Sequence, residues 1–234
     1  MKTVSAMDLK RTENWRIILY AKPGTGKTSS IKYLKGKTRV IDLDNSAKVL
    51  GGISPNIKID IMDRTKPNEE IGNWIKHSSE YIVGFDNLVI DNISSFQKDW
   101  FVELGRNSHN KISNELQDYS KWTNYFARLM TEMYSLPVNI LTTCWEEQRK
   151  VTAMSGQTFT QYAPSIRDSV MDGLLGLCDV VGRLTINPKT GNRGVILQGN
   201  DSVYAKNRLD DRTIVPIEEL FNFKNGNENK GEDK

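Results

Sequence analysis

Short apolar runs rich in β-branched residues alternate along this chain with stretches whose apolar residues recur at helical spacing. The first kind is WRIILY at 15–20, TRVIDL at 38–43, IKIDI at 57–61, NLVID at 87–91 and VNILTTC at 138–144. Their length, with turn residues at their ends, predicts buried strands. Ile71, Trp74 and Ile75 share one face of 68–77. Trp122, Tyr125, Phe126, Leu129, Met130 and Met133 do so in 118–136, which Pro137 closes. Both stretches predict amphipathic helices. Two more helices are expected, one starting near Lys27 and one around 165–177. Strands alternating with helices imply a mostly parallel sheet with helices on both faces, the α/β class.

After Glu147 the texture changes. Residues 149–162 alternate polar and apolar positions around Met154-Ser155-Gly156-Gln157, which predicts a β-hairpin or a mobile loop. Residues 179–185 and 194–198 flank the turn-rich Asn187-Pro188-Lys189-Thr190-Gly191-Asn192, a C-terminal hairpin. Residues 224–234 carry no apolar content and are expected to be disordered. The resulting organisation is a polar arm over 1–14, a single core over 15–223 and a tail.

Composition narrows the class without choosing a partner. A length of 234 residues suits one domain, and a net charge of +3 permits an anionic partner without demanding one. Cys144 and Cys178 lie in apolar runs with no metal-like spacing, so both are expected to be reduced packing residues. No apolar run approaches the length of a membrane span, and the first residues lack a signal-peptide core. The expected location is cytoplasmic, with no membrane partner.

The sharpest chemical signal is Ala21-Lys22-Pro23-Gly24-Thr25-Gly26-Lys27-Thr28, between a predicted strand and a predicted helix. It follows the phosphate-loop pattern, with Ala21 where glycine is usual. Gly24 and Gly26 let backbone amides curl around phosphate oxygens. Lys27 then reaches the β- and γ-phosphates, and the Thr28 hydroxyl ligates Mg²⁺. Pro23, Thr25 and Ser29 complete the cradle, and a helix N-terminus behind it adds partial positive charge. Asp91, ending an apolar strand expected beside the loop, would face the magnesium through water, with Asn92 and Ser94 behind it. These residues predict an ATPase that uses ATP and Mg²⁺.

Hydrolysis also needs a group that orients or deprotonates water, and Asp44, Glu146 and Glu147 all end strands. Here the chain resembles the RecA-like core, in which a carboxylate ending the strand after the phosphate-loop helix acts as base. That resemblance favours Asp44, with Asp42 alternating to the opposite face. It further implies a γ-phosphate sensor at Thr143 or Cys144. In Tyr204-Ala205-Lys206-Asn207-Arg208 it implies that Lys206 and Arg208 reach the ATP of a neighbouring subunit. More narrowly, the order of these motifs over 15–210 is similar to that of small phage-encoded RecA-like nucleotide-binding proteins, recombinases or single-strand annealing proteins. No counterpart of the long appendages of bacterial RecA is expected.

What the resemblance implies is single-stranded DNA held by loops at 105–114 and 149–162. There Arg106, Lys111, Arg149 and Lys150 supply cations, and Phe159 and Tyr162 supply stacking faces. It also implies self-association into a ring or short filament, in a bacterial host cell, alongside phage or host replication and recombination proteins. Two classes of function stay open: a DNA-stimulated recombination ATPase, or a loader or adaptor whose ATP-dependent shape is read by a protein partner.

Overall fold

The computed structural model describes residues 3–153 and 156–223. The tail at 224–234 and the Met154-Ser155 centre of the expected hairpin lie outside the described residues. In chain order the strands and helices begin with β1 (Arg16–Ala21), β2 (Thr38–Asp42), β3 (Ile57–Ile61), α1 (Pro67–Lys76), α2 (Ser78–Tyr81) and β4 (Asn87–Asp91). The middle of the chain forms α3 (Ile93–Asn107), α4 (Leu116–Tyr134), β5 (Asn139–Thr152), β6 (Thr158–Pro164) and α5 (Asp168–Leu177). The last elements are β7 (Val180–Ile186), β8 (Arg193–Ile196), β9 (Lys206–Asn207) and β10 (Ile214–Pro216).

The sheet runs β10-β8-β7-β1-β5-β4-β2-β3. From β7 to β3 every pairing is parallel, whereas β8 and β10 extend the other edge in antiparallel pairings. The expected fold class, a mostly parallel sheet with C-terminal antiparallel strands, is the observed one. Its central strands are apolar on both faces because both are covered. Ile18 and Tyr20 of β1 enter one core with Phe96, Trp122, Phe126 and Leu174, under α1, α3, α4 and α5. Ile17, Leu19 and Ala21 enter a second core with Ile31, Leu50, Leu220 and Phe221.

The two faces differ from expectation in what covers them. The first carries the long helices. The second is covered by 3₁₀ segments, Thr28–Tyr33, Ala47–Leu50 and Ile217–Glu219, together with Leu220, Phe221 and Phe223. The stretch after the phosphate loop is therefore a six-residue 3₁₀ segment rather than the expected α-helix. Its first turn is mixed: the Ser30 amide donates to both the Gly26 and Lys27 carbonyls, at 3.0 and 3.1 Å. So short a segment sums few peptide dipoles, and the helix-end charge expected there shrinks accordingly.

Two elements set the geometry of the site. β5 pairs with β1 on one side and β4 on the other, so the strand of Asp91 is one strand removed from β1 instead of adjacent to it. β5 also continues past the sheet to Thr152 and pairs antiparallel with β6 from Glu146↔Pro164 to Thr152↔Thr158. The region expected as a hairpin or mobile loop is thus a hairpin built directly on a core strand. Helix α3 fills a stretch in which the sequence reading assigned no helix. Asn92 caps it by accepting from the Ser94 amide at 2.9 Å. Arg106 consequently sits on the last turn of α3, not in a loop.

Candidate functional site

β1 delivers the chain at Ala21 into a tight turn, in which the Thr25 hydroxyl donates to the Lys22 carbonyl at 2.8 Å. Gly24 and Gly26 take φ of +79° and +107°, values that side chains with a Cβ rarely adopt. Pro23 and Gly24 are exposed, Ser29 is half-buried and Lys27 is only 6% exposed. The Lys27 ammonium donates to the carbonyls of Ala21 and Lys22 at 3.1 and 3.2 Å. Burial lowers its pKa, and the nearby charges of Asp91, Asp44 and Glu146 act to raise it. The cation is thus held at the mouth of the loop by carbonyls and by carboxylates at a distance, with no direct ion pair among the described residues.

Asp91 ends β4 and is 1% exposed. Its Oδ1 accepts from the Thr143 hydroxyl of β5, while Oδ2 is buried with no hydrogen-bond partner among the described residues. Burial pushes its pKa up to about 6, opposed by the hydroxyls of Thr143 and Thr28 and reinforced by Asp44 and Asp42. A buried, unpartnered carboxylate oxygen is costly unless something cationic meets it. With the Thr28 hydroxyl beside it, the arrangement fits Mg²⁺, which would bring neutralisation of phosphate oxygens. Thr28 also bonds Ser46 at 3.2 Å, on the loop that follows β2.

That loop carries the two aspartates. Asp42 is buried and accepts from the amides of Ser46 and Ala47 at 3.0 and 3.1 Å. Burial raises its pKa, and the two amides counter this. Asp44 is half-exposed, accepts from the Ser46 amide at 3.1 Å and makes no ion pair among the described residues. Of the other two carboxylates considered as base, Glu147 pairs with Arg149 at 2.5 Å. Glu146 has its side chain 4% exposed and pairs with Arg183 at 2.7 Å, its Oε1 buried and unpartnered among the described residues. Ser94, expected behind Asp91, instead accepts from the Trp145 amide at 2.9 Å and pins β5 to the start of α3. Thr143 and Cys144 are both fully buried, and of these two sensor candidates it is Thr143 that donates to Asp91.

A family of AAA domains matches residues 13–209. The chain belongs to the AAA-domain family. It is accordingly a P-loop NTPase, the class whose loop and strand-end aspartate have just been described. No curated protein sequence matches it. Among solved structures, it is similar to the RadB recombinase at 13% identity and a TM-score of 0.46, over 79% of this chain and 80% of that one. It is also similar to a KaiC-like protein from the archaeon Pyrococcus horikoshii OT3, at 16% identity and a TM-score of 0.45, over 79% of both chains. Likenesses this distant carry no property of either protein to this AAA-family chain.

The other expected residues scatter. Lys206 and Arg208 do lie on one side, but they donate to the Leu175 and Gly176 carbonyls at the end of α5, at 2.5 and 3.4 Å. β9 pairs with Val180 and Val181, the amino end of β7, while the phosphate loop follows the carboxyl end of β1. The pair is therefore at the opposite end of the sheet from this chain's own loop. Arg149 is bound to Glu147, to Asp168 at 2.6 Å and to the Ile166 carbonyl. Tyr162 lies under the Arg183 guanidinium, 3.6 Å from its ring centre. Lys150 is exposed and Phe159 half-buried on the hairpin, and Arg106 and Lys111 are exposed beside the α3–α4 connection. Arg167, which follows β6, packs over Phe101 of α3 and Tyr119 of α4, so hairpin base and connection share one side.

Two residues of the site escaped the sequence reading. Arg193, opening β8, donates through Nε to the Thr25 carbonyl at 2.8 Å. Arg183 bridges Glu146 to Tyr162 across the end of β1, where the Tyr20 hydroxyl also bonds the Tyr162 and Tyr204 carbonyls. No local pattern marks either arginine, since each partner comes from a distant strand or loop. Among the described residues no helix is long and apolar enough to cross a membrane.

Proposed function

We propose that this chain is an ATP-driven, single-stranded DNA-binding protein of recombination. It would act as an oligomer, with Lys206 and Arg208 serving the neighbouring subunit's nucleotide. The observation that carries this reading is the continuity of β5. The same strand holds Thr143 against Asp91 and then runs without a break into the hairpin. A nucleotide that moves Asp91 and Thr143 would shift a rigid element whose far end bears Lys150 and Phe159. ATP binding would thus set the hairpin, and hydrolysis would release it. Cations there track phosphates and an aromatic face stacks bases without regard to sequence. With Arg149 and Tyr162 held by protein partners, the cations assigned to DNA are Arg106, Lys111 and Lys150.

Purified protein is expected to hydrolyse ATP faster with single-stranded DNA than without it. The double variant Lys111→Ala, Lys150→Ala should lose that stimulation and lower the slope of log affinity against log salt by about 1.4, for two phosphate contacts. Equal hydrolysis with and without DNA, and no shift of a labelled oligonucleotide at low salt, would overturn the DNA assignment. The adaptor reading gains from the capture of Arg149 by Glu147 and Asp168, which leaves the hairpin less basic. An adaptor would keep its partner protein in the double variant.

Asp44 is assigned as the group that orients water, because its carboxylate is half-exposed and free of ion pairs among the described residues while Glu146 and Glu147 are both paired. Asp44→Asn should keep nucleotide affinity and slow turnover by roughly 10²- to 10⁴-fold in single-turnover assays. Unchanged turnover would move the role to Glu146 or Glu147.

A further inference from the structure

The Arg193 guanidinium lies directly over the phosphate loop. Besides the bond from Nε to the Thr25 carbonyl, its Nε, Cδ and Cζ would stand 2.9, 3.3 and 3.6 Å from a Cβ placed on Gly26. Only glycine at 26 admits the arginine this close. The residue is exposed as a whole, and no carboxylate pairs with it among the described residues. Its two terminal amino groups make no hydrogen bond to the described protein. The guanidinium is therefore fixed by its inner nitrogen, with its outer, forked edge unspent, above the loop whose amides face phosphate.

A fork of two parallel N–H donors matches two phosphate oxygens, and fixing the inner nitrogen reduces the entropy lost on binding. Lys27, the other cation of the loop, is a point charge held by carbonyls on the β1 side. We propose that Arg193, carried in cis on the β7–β8 hairpin, is a phosphate-binding residue of the nucleotide site. It would clamp the polyphosphate chain against Gly26 from the side opposite the Asp91 magnesium site. This rests on the nucleotide reading above and adds to it a ligand that needs no second subunit, unlike Lys206 and Arg208.

An arginine that merely braced the turn would act through Nε alone. Arg193→Gln separates the two roles: the glutamine amide nitrogen stands the same number of bonds from the backbone as arginine Nε. It can keep the bond to Thr25 while losing charge and fork. Calorimetry on the purified protein should use Mg·ATP and, as a probe without base or sugar, magnesium tripolyphosphate. Arg193→Gln is expected to weaken both by roughly tenfold or more, the loss of a charge-assisted contact, with an unchanged melting midpoint in the absence of ligand. Arg193→Lys should restore part of the loss. Wild-type affinity for both probes in Arg193→Gln would overturn the proposal and leave the phosphate loop intact. Failure of the unaltered protein to bind either probe would overturn the nucleotide reading itself, and this assignment with it.

Discussion

Lys27→Ala is expected to weaken Mg·ATP binding by about a hundredfold or more, measured by calorimetry on folded protein. Each charge-assisted bond from an ammonium to phosphate contributes roughly 1.5–3 kcal/mol, and this side chain is placed to make more than one. Among the described residues no other cation near the loop is placed to take over. Lys22 is exposed, and Arg193 approaches from the side of Thr25 and Gly26. The fold itself should tolerate the change. Burial already disfavours the charged form of Lys27, and what is lost is its two bonds to the carbonyls of Ala21 and Lys22. A folded Lys27→Ala protein that binds Mg·ATP like the unaltered chain would remove the phosphate loop from the nucleotide site.

The parts of this site that could be read in the sequence are those in which chemistry and backbone geometry coincide over a few residues. Gly24 and Gly26 announce positive φ, and Lys27-Thr28 announces what the turn is for. The strand ending in Asp91 was legible because parallel strands buried on both faces read as unbroken apolar runs. Its neighbour was not, since strand order is a property of pairing and β5, coming late in the chain, inserts between β4 and β1. Helix α3 shows a different failure. Ile93, Phe96, Trp100, Phe101 and Leu104 do recur at helical spacing, but Ser94, Ser95 and Gly105 interrupt the texture that singled out α4.

Spacing alone also predicts direction without destination. Lys206 and Arg208 share a side, as strand alternation requires, yet in the single chain that side meets the carbonyl end of α5. Arg149 and Tyr162 have the composition of a DNA-binding loop. Their side chains are instead spent on Asp168, Glu147 and Arg183, which lie up to 21 positions away along the chain for Tyr162. The pairings of Arg149 with Asp168 and of Tyr162 with Arg183 have no local signature. The hairpin's alternation was visible, and which of its faces had partners was not.

Asp91→Asn is expected to raise the melting midpoint of the nucleotide-free protein at neutral pH while abolishing its response to magnesium. Burial lifts the Asp91 carboxyl from its ordinary 3.8 to about 6 in the folded chain. Between those values the folded state keeps a proton that the unfolded chain has released. Stability therefore falls as pH rises from 3.8 to about 6, and above that the cost is constant. By neutral pH it amounts to roughly 3 kcal/mol. Asparagine has the same shape, can still accept from Thr143 and carries no charge, so it escapes the cost. For a chain of this length each kcal/mol moves the midpoint by about 2–4 °C, so scans at pH 7.5 should show a rise of several degrees. At pH 4 the two proteins should nearly coincide. In the unaltered chain, Mg·ATP should recover the stability by meeting the charge that the fold leaves unpaired, and in Asp91→Asn that magnesium-dependent gain should vanish. A variant that melts below the unaltered protein at pH 7.5, yet responds to magnesium as before, would mean that the buried oxygen of Asp91 faces something other than a cation site.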